Sequence, residues 1–322
     1  MLKDRKKSYH REHRGHGESK IAATLFALRD LCGEMLAFSS LPCAIVGMLL
    51  LSVSITGVVM AAPQSGSQSQ GNPNSFHWPD GKRAAVSLSF DDARTSQVDT
   101  GLALFDQRQM KVTFFLQTEN ISKRLDGWKK AVADGHEIGN HTTTHPCTGN
   151  YTFSRHNALE DYNLEMMAAQ LDGASAEIER LLGVKPKTFA YPCGLKFVGR
   201  GLDARSYVPL VADRFLVGRG YLDESANDPG FCDLAQAMGT PFDDLTFDQM
   251  KALVDKAAQD GRWIIFVGHE IGQCGFQITD ADALGKLCDY LHDPANGIWA
   301  GTVTQIGGYV SQHQQLGSHV RP

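Results

Sequence analysis

The strongest constraint on the fold is a series of short apolar runs that alternate with helical segments along residues 76–312. Residues 84–90 place Val86, Leu88 and Phe90 on one face, and residues 112–116 and 263–267 form short apolar runs. Alternation predicts a β-strand, and short apolar runs are typical of buried parallel strands. The chain therefore predicts a sheet whose strands are covered by helices.

Two segments between these runs carry helix signals. Residues 164–181 repeat apolar side chains at spacings of three and four and stop at Gly183, and residues 246–259 begin at a capping threonine and end before Gly261. Strands and helices in alternation predict one α/β domain, either a (β/α) barrel or a doubly wound sheet. In both folds the functional groups lie at the carboxyl ends of the strands.

Composition and charge exclude several classes of protein. The chain has 322 residues, of which 42% are hydrophobic and 21% charged, so disordered, collagen-like and polytopic membrane proteins are excluded. The formal net charge of −5 is uneven, because residues 1–62 hold eight Lys or Arg against five Asp or Glu. The remainder carries −8 and offers no basic stripe for phosphates, so we expect no nucleic-acid partner.

The amino-terminal part has the pattern of an export signal. Residues 44–60 hold no charge, follow a long basic and polar stretch, and precede small residues at Ala61 and Ala62. This pattern predicts that residues 1–62 are a signal peptide, with a single uncleaved membrane anchor as the alternative. Either reading predicts a secreted, periplasmic or cell-surface protein.

Three further boundaries follow from composition. Residues 63–75 contain no apolar side chain except proline and predict a flexible linker. The folded domain is expected over residues 76–312, with a short tail at 313–322. The domain holds five cysteines, so at most two disulfides and one free thiol are expected, and without a C-x-x-C pair no cysteine-built zinc site is predicted.

Polar residues follow four of the apolar stretches directly. The groups at these ends are Asp91-Asp92, His141 with His145, Cys193-Gly194, and His269-Glu270. Because the carboxyl ends of parallel strands meet at one edge or rim, we expect these groups to lie close together.

The two histidines and the acid pair suggest a metal site. Three threonines between the histidines and a proline after His145 argue against a helix, so His141 and His145 are expected on a loop. Two imidazoles and one carboxylate from Asp91 or Asp92 suit a catalytic zinc or another divalent ion, and the second acid is free to act as a base. Each group alone has an ordinary structural explanation, but the groups together favour a catalytic metal site.

Two other groups fit a hydrolytic reaction. His269 titrates near neutrality and is suited to protonating a leaving group. The turn at residues 191–194 presents backbone N–H groups to an oxyanion, and since proline has none, the donor is Cys193 or Gly194.

These motifs resemble those of a known family. SFDD at residues 89–92, GHEIGNHTTTH at 135–145, FAYPCG at 189–194 and VGHE at 267–270 stand in the order of the NodB-homology domain. The chain thus resembles the polysaccharide deacetylases of carbohydrate esterase family 4. The resemblance implies a single distorted (β/α) barrel of about seven strands that binds a divalent metal, usually zinc.

The resemblance also implies a role for each residue. Asp91 is the general base, and His269 is the general acid. Cys193 offers its backbone N–H to the oxyanion. The implied metal ligands are Asp92, His141 and His145.

The chain departs from the family pattern at two motifs. Ala190 stands where the family has an arginine that orients the base, and Arg219 is a candidate replacement. The acid that steers the histidine is not recognisable, and its candidates are Asp223, Glu224 and Asp228. Cys147 and Cys193 adjoin the site segments, either as a disulfide or as two buried thiols.

The predicted function is that of an exported, metal-dependent polysaccharide deacetylase in which metal-activated water attacks an acetyl group. The expected substrate is an N-acetylglucosamine polymer such as chitin or peptidoglycan. The alternatives are an acetylxylan esterase, a non-sugar amide hydrolase on the same barrel, and an inactive carbohydrate-binding relative. Candidate sugar-stacking aromatics are Tyr191, Phe197, Tyr207, Tyr221 and Trp299.

Overall fold

The structure, a computed structural model, describes residues 76–318. The predicted signal or anchor segment and the predicted linker lie outside the described residues. Across 76–318, no helix has both the length and the apolar character that crossing a bilayer requires.

Twelve strands are assigned within residues 76–318. They are β1 (Ala84–Asp91), β2 (Thr113–Leu116), β3 (Glu137–Asn140), β4 (Thr188–Ala190), β5 (Phe197–Val198), β6 (Arg205–Ser206), β7 (Val217–Arg219), β8 (Thr240–Pro241), β9 (Trp263–Gly268), β10 (Glu270–Gly272), β11 (Ile278–Asp280) and β12 (Ile298–Ala300).

Eight α-helices surround these strands in the same range. They are α1 (Leu102–Gln107), α2 (Thr118–Ile121), α3 (Leu125–Ala133), α4 (Leu164–Leu182), α5 (Val208–Arg214), α6 (Phe247–Asp260), α7 (Ala281–His292) and α8 (Val303–Ser318). A π-helical turn, Gln97–Gly101, leads into α1.

The main sheet is parallel and curls into a distorted barrel, as predicted. Its strand order is β7-β4-β3-β2-β1-β9-β8, and β12 pairs with the first residues of β1. A single bridge between Arg219 and Ala237 joins the end of β7 to the segment before β8 and brings the two edges together. The small pairs β5–β6 and β10–β11 lie outside this sheet.

Strand β1 has two different faces because successive side chains point to opposite sides. Its apolar face packs in the main core with α1, α3, α6 and α7 and consists of Val86, Leu88 and Phe90. Its other face lines the barrel interior with Ser87, Ser89 and Asp91, all buried. The alternation seen in the sequence therefore also sends Asp91 inward.

A half-buried carboxylate links several elements at the amino-terminal end of the barrel. Glu137 accepts hydrogen bonds from the hydroxyls of Thr113 (2.9 Å), Thr188 (2.5 Å) and Thr304 (2.6 Å), and from the Thr304 N–H (2.8 Å) at the start of α8. A carboxylate at a helix amino terminus is also favoured by the helix dipole. These contacts join the first residues of β2, β3 and β4 to the start of α8.

Both predicted helices form, with the predicted cap at Thr246 and the predicted ends at Gly183 and Gly261. Thr246 and Gln249 build a capping box at the start of α6, and Asn163 caps α4. Gly183 and Gly261 end the two helices with φ of +73° and +71°, which glycine adopts without the cost of a Cβ.

The carboxyl terminus differs from the predicted boundary. Helix α8 continues to Ser318, so residues 313–318 of the expected tail are helical. Gln314 donates hydrogen bonds to the carbonyls of Pro229 (3.1 Å) and Cys232 (2.9 Å), which anchors this last part of the helix to the domain.

Candidate active site

The six residues predicted for the site line a single cavity at the carboxyl end of the barrel. The cavity has a volume of about 650 Å³. Each predicted residue lies at or just after a strand of the main sheet: Asp91 and Asp92 at β1, His141 and His145 after β3, Cys193 after β4, and His269 after β9. The expectation that parallel strand ends bring these motifs together is confirmed.

Three of these side chains form a candidate metal centre. The Asp92 Oδ1 atom lies 3.4 Å from His141 Nε2 and 3.6 Å from His145 Nε2, and one ligand atom from each residue lies within 4.8 Å of the others. The Nδ1 atom of His141 is 2.9 Å from the Ala190 carbonyl, which orients Nε2 toward the centre. Two imidazole nitrogens and one carboxylate oxygen fit a divalent ion with open positions.

The loop that carries both histidines is not helical, as predicted. Thr142 and His145 have φ of +62° and +53°, in the left-handed region. Thr142 accepts a hydrogen bond from the His145 N–H (2.9 Å), and Asn140 accepts one from the Thr142 N–H (2.8 Å). Gln170 of α4 accepts from two further N–H groups of the loop, both at 3.1 Å. These bonds compensate for the unfavourable backbone conformation.

The protonation states suit metal binding. Burial, with a smaller contribution from His141, lowers the pKa of His145 to about 4, so its ring is neutral at pH 7. Burial alone would raise the pKa of Asp92, but contact with His141 and His145 holds it well below its usual range. A neutral imidazole and an ionised carboxylate are the forms that bind metals.

The second oxygen of Asp92 has its own partner, which sequence reasoning missed. Arg94 donates to Asp92 Oδ2 from Nη2 (2.9 Å) and Nε (3.2 Å), and its Nη1 lies 3.6 Å from Glu270 Oε1. The guanidinium therefore occupies Oδ2 and leaves Oδ1 facing the histidines.

The missing family arginine is replaced from the neighbouring strand. Arg219 Nη2 donates to Asp91 Oδ1, its Nη1 donates to the Gly220 carbonyl (2.7 Å), and its guanidinium lies 4.8 Å from the centre of the Phe115 ring. Arg219 is fully buried, and its register partner on β4 is Ala190. Because β7 pairs with β4, an arginine at this level reaches the same carboxylate, and the candidate chosen from the sequence is in contact with Asp91.

A buried amide joins the ends of two neighbouring strands, β1 and β9. Gln97 Nε2 donates to the carbonyls of Asp91 (2.6 Å) and His269 (2.8 Å). These contacts fix the ends of β1 and β9 relative to each other. Gln97 lies five residues beyond the acid pair, and no sequence signal distinguishes it.

The partner of His269 is Asp243, so the three acids proposed from the sequence were wrong. Asp243 Oδ2 lies 2.6 Å from His269 Nδ1, and Oδ1 accepts from the His269 N–H (3.1 Å) and the Thr279 hydroxyl (3.0 Å). Burial alone would lower the pKa of His269, but the hydrogen bond to Asp243 and the charge of Asp91 outweigh it and raise the pKa.

The turn after β4 contains a backbone donor without an internal acceptor. Cys193 has φ of +53°, and Gly194 donates its N–H to the Tyr191 carbonyl (2.9 Å). Among the described residues, the Cys193 N–H has no acceptor, whereas that of Gly194 is occupied. Of the two donors that the sequence left open, Cys193 is the available one. Its side chain forms a disulfide with Cys147.

The mouth of the cavity carries exposed apolar side chains that differ from those predicted. Tyr151 and Phe153 stack on each other with ring centres 5.4 Å apart, and Leu222 and Phe276 also line the cavity. Phe276 is 85% exposed, which is unusual for a side chain that serves only packing. Of the predicted aromatics only Tyr221 lines this cavity; Tyr191 and Tyr207 are buried in a core, and Phe197 and Trp299 lie elsewhere.

Comparison with known proteins supports the family resemblance that the sequence motifs indicated. Residues 79–199 match the family model described as polysaccharide deacetylase. The resemblance to the polysaccharide deacetylases is confirmed.

Individual relatives are similar to this chain over shorter segments. The uncharacterized protein YlxY of Bacillus subtilis is 38% identical over 93 residues, which are 29% of this chain and 26% of that protein. The peptidoglycan-N-acetylglucosamine deacetylase of Bacillus cereus is 32% identical over 113 residues, which are 35% of this chain and 37% of that protein. The chain thus spans about a quarter of the first relative and little more than a third of the second.

The fold is also found in a solved structure. A Mycobacterium smegmatis protein assigned as a polysaccharide deacetylase superposes with a TM-score of 0.53 at 15% identity, covering 74% of this chain and 94% of that one. This likeness supports the distorted barrel.

The candidate metal centre predicts that the protein binds zinc and that the loss of one ligand weakens this binding. We expect the metal-free protein to bind one zinc ion in isothermal titration calorimetry, and His141→Ala to weaken that binding by about 100-fold or more, because one of three ligands is lost. His156→Ala is the matched control, since His156 lines the same cavity outside the ligand set. Equal zinc affinity in both variants would contradict the assignment.

Proposed function

We propose that this chain is an exported, metal-dependent deacetylase that hydrolyses N-acetyl groups of N-acetylglucosamine polymers. The observation that carries this proposal is the meeting, in one cavity, of a metal-ligand triad, an acid held by arginine and a histidine held by aspartate. A purely binding protein requires neither the base nor the acid, so an inactive carbohydrate-binding relative is disfavoured.

The base in this proposal is Asp91. A divalent ion held by Asp92, His141 and His145 would supply a water of lowered pKa and a Lewis acid for the acetyl carbonyl. Asp91 lies beside this centre, with Oδ2 3.9 Å from His141 Nε2. Its Oδ1 is engaged by Arg219, so Oδ2 is the oxygen that accepts the proton of the attacking water.

The negative charge that develops on the acetyl oxygen requires a hydrogen-bond donor from the protein. The unengaged N–H of Cys193 lies on the cavity wall and serves as that donor. A fixed backbone donor in a site that excludes water stabilises the oxyanion without reorganisation, and the loss of one such donor typically costs a factor of about 10² to 10³ in rate.

Departure of the amine requires a proton, which His269 donates. Asp243 holds the Nδ1 side of the ring, so Nε2 is the atom available to the leaving group. The ring of Tyr221 packs edge-on against His269 with centres 5.5 Å apart and restricts the ring to this orientation.

The substrate assignment rests on the mouth of the cavity and on one relative. Exposed aromatic rings beside an active site can stack on the apolar faces of sugar rings. Tyr151, Phe153 and Phe276 provide such rings. The Bacillus cereus relative is named for its action on N-acetylglucosamine in peptidoglycan. We therefore place N-acetylated polymers ahead of acetylxylan and non-sugar amides.

Export is supported by the amino-terminal sequence and by the disulfide. Residues 44–60 carry no charge and are followed by small residues. Disulfides persist in oxidising compartments outside the cytoplasm. A secreted, periplasmic or cell-surface protein fits both features.

Acetate release tests the proposed reaction. With zinc present, we expect the purified protein to release acetate from N-acetylglucosamine oligomers or peptidoglycan, and Asp91→Asn to lower kcat by about 10² to 10⁴ because the base is lost. The control is Asp99→Asn, an exposed acid paired with Arg124. Release from acetylxylan alone would favour the esterase, and release from none of them would contradict the proposal.

The Asp243–His269 contact predicts a change in the pH profile. His269 must be protonated to act as an acid, so its raised pKa extends activity toward alkaline pH. Asp243→Asn removes a cause of that shift, and we expect the alkaline limb of the kcat profile to move about 1 to 2 pH units lower. Asp244→Asn, at an exposed neighbouring acid, should leave the limb in place. An unmoved limb in Asp243→Asn would contradict the assignment of His269.

A further inference from the structure

A disulfide joins two loops that both belong to the candidate active site. Cys147 lies two residues after the candidate ligand His145, and Cys193 lies in the turn that presents the oxyanion donor. Their Cα atoms are 6.1 Å apart, although 46 residues separate them in the chain. The bond therefore connects the loop after β3 to the turn after β4.

The Cys147 end is fixed by contacts other than the disulfide. Its N–H donates to the Ser154 hydroxyl (3.0 Å), and its carbonyl accepts from that hydroxyl (3.0 Å) and from the Leu159 N–H (2.9 Å). Cys147 is fully buried and also pairs with Ala158 in an isolated bridge. This end would keep its position if the sulfur–sulfur bond were absent.

The Cys193 end has few other attachments. The turn Pro192–Gly194 is held by two short-range bonds, from the Gly194 N–H to the Tyr191 carbonyl (2.9 Å) and from the Leu195 N–H to the Pro192 carbonyl (3.1 Å). Cys193 itself adopts the left-handed conformation, which is unfavourable for a residue with a Cβ. Without an external constraint, this residue would favour other conformations that turn its N–H away from the cavity.

We propose that the Cys147–Cys193 disulfide is a positioning element of the reaction, which uses the fixed Cys147 loop to hold the Cys193 N–H toward the oxyanion. The inference rests on the proposed function, because it assigns the disulfide to the same catalytic step. The disulfide would then raise kcat in addition to stabilising the fold. The proposal also separates metal binding from oxyanion stabilisation. The metal-ligand loop is anchored by Ser154 and Leu159, so its position does not depend on the disulfide.

The test compares Cys147→Ser, Cys193→Ser and the double variant with the unmodified protein, all loaded with zinc and assayed well below their unfolding temperatures. We expect each single variant to lower kcat by about 10- to 100-fold, with KM and zinc affinity within about twofold. The double variant should lose no more than either single variant, because both changes break the same bond. Cys274→Ser, at an exposed free thiol, is the matched control with the disulfide intact.

Two kinetic results would overturn the proposal. An unchanged kcat in folded Cys147→Ser would show that the turn keeps its position without the bond. Loss of zinc affinity in parallel with kcat would show that the bond supports the metal loop instead.

A second measurement does not require activity. In amide hydrogen exchange of the full chain, Cys147→Ser should accelerate exchange in residues 191–195 by about tenfold or more and leave residues 147–159 protected. Equal exchange in the turn with and without the bond would overturn the positioning role. An inactive protein with this exchange pattern would contradict the proposed function and still support the constraint on the turn.

Discussion

The buried pair of Arg219 and Asp91 is the interaction on which the rest of the site depends. A guanidinium enclosed in a barrel is costly unless a carboxylate and further acceptors compensate for its lost hydration. Here Asp91 and the Gly220 carbonyl accept from it. The chain makes room for it with glycine, because a Cβ at Gly239 would lie 2.6 Å from Arg219 Cδ and 2.2 Å from the Gly220 carbonyl oxygen.

Much of the site could be predicted because parallel strands meet at their carboxyl ends. Asp91 and His269 stand at or directly after an apolar run, so the pattern of the sequence specifies both the strand and the position of the group. His141 follows β3, whose sequence EIGN has one large apolar side chain, and its motif located it instead. Arg219 could be proposed from position alone; its pairing depends on β7 lying beside β4, and sheet order is not encoded locally. The order of the edge strands emerges only from the packing of the whole barrel.

The residues that sequence reasoning missed share a physical reason. Asp243 follows β8, a two-residue strand, Thr240–Pro241, that has no apolar periodicity. Gln97 contacts backbone carbonyls from a π-helical turn. Tyr151 and Phe276 extend from loops, and Phe153 lies in a single 3-10 turn. Neither periodicity nor motif spacing marks such positions, since their roles arise from long-range contacts. The aromatic residues chosen from the sequence were mostly core residues, because burial and sugar binding favour the same side chains.

The most direct test of this account is the kcat of zinc-loaded Arg219→Met, measured with the substrate that the unmodified protein deacetylates fastest. Methionine keeps much of the length and removes the charge, so we predict a loss of about 100-fold in kcat, with zinc affinity retained because Arg219 contacts no candidate ligand. Arg262→Met, at a partly exposed arginine paired with Asp228, is the control. Full activity in folded Arg219→Met would contradict the claim that this arginine orients the base.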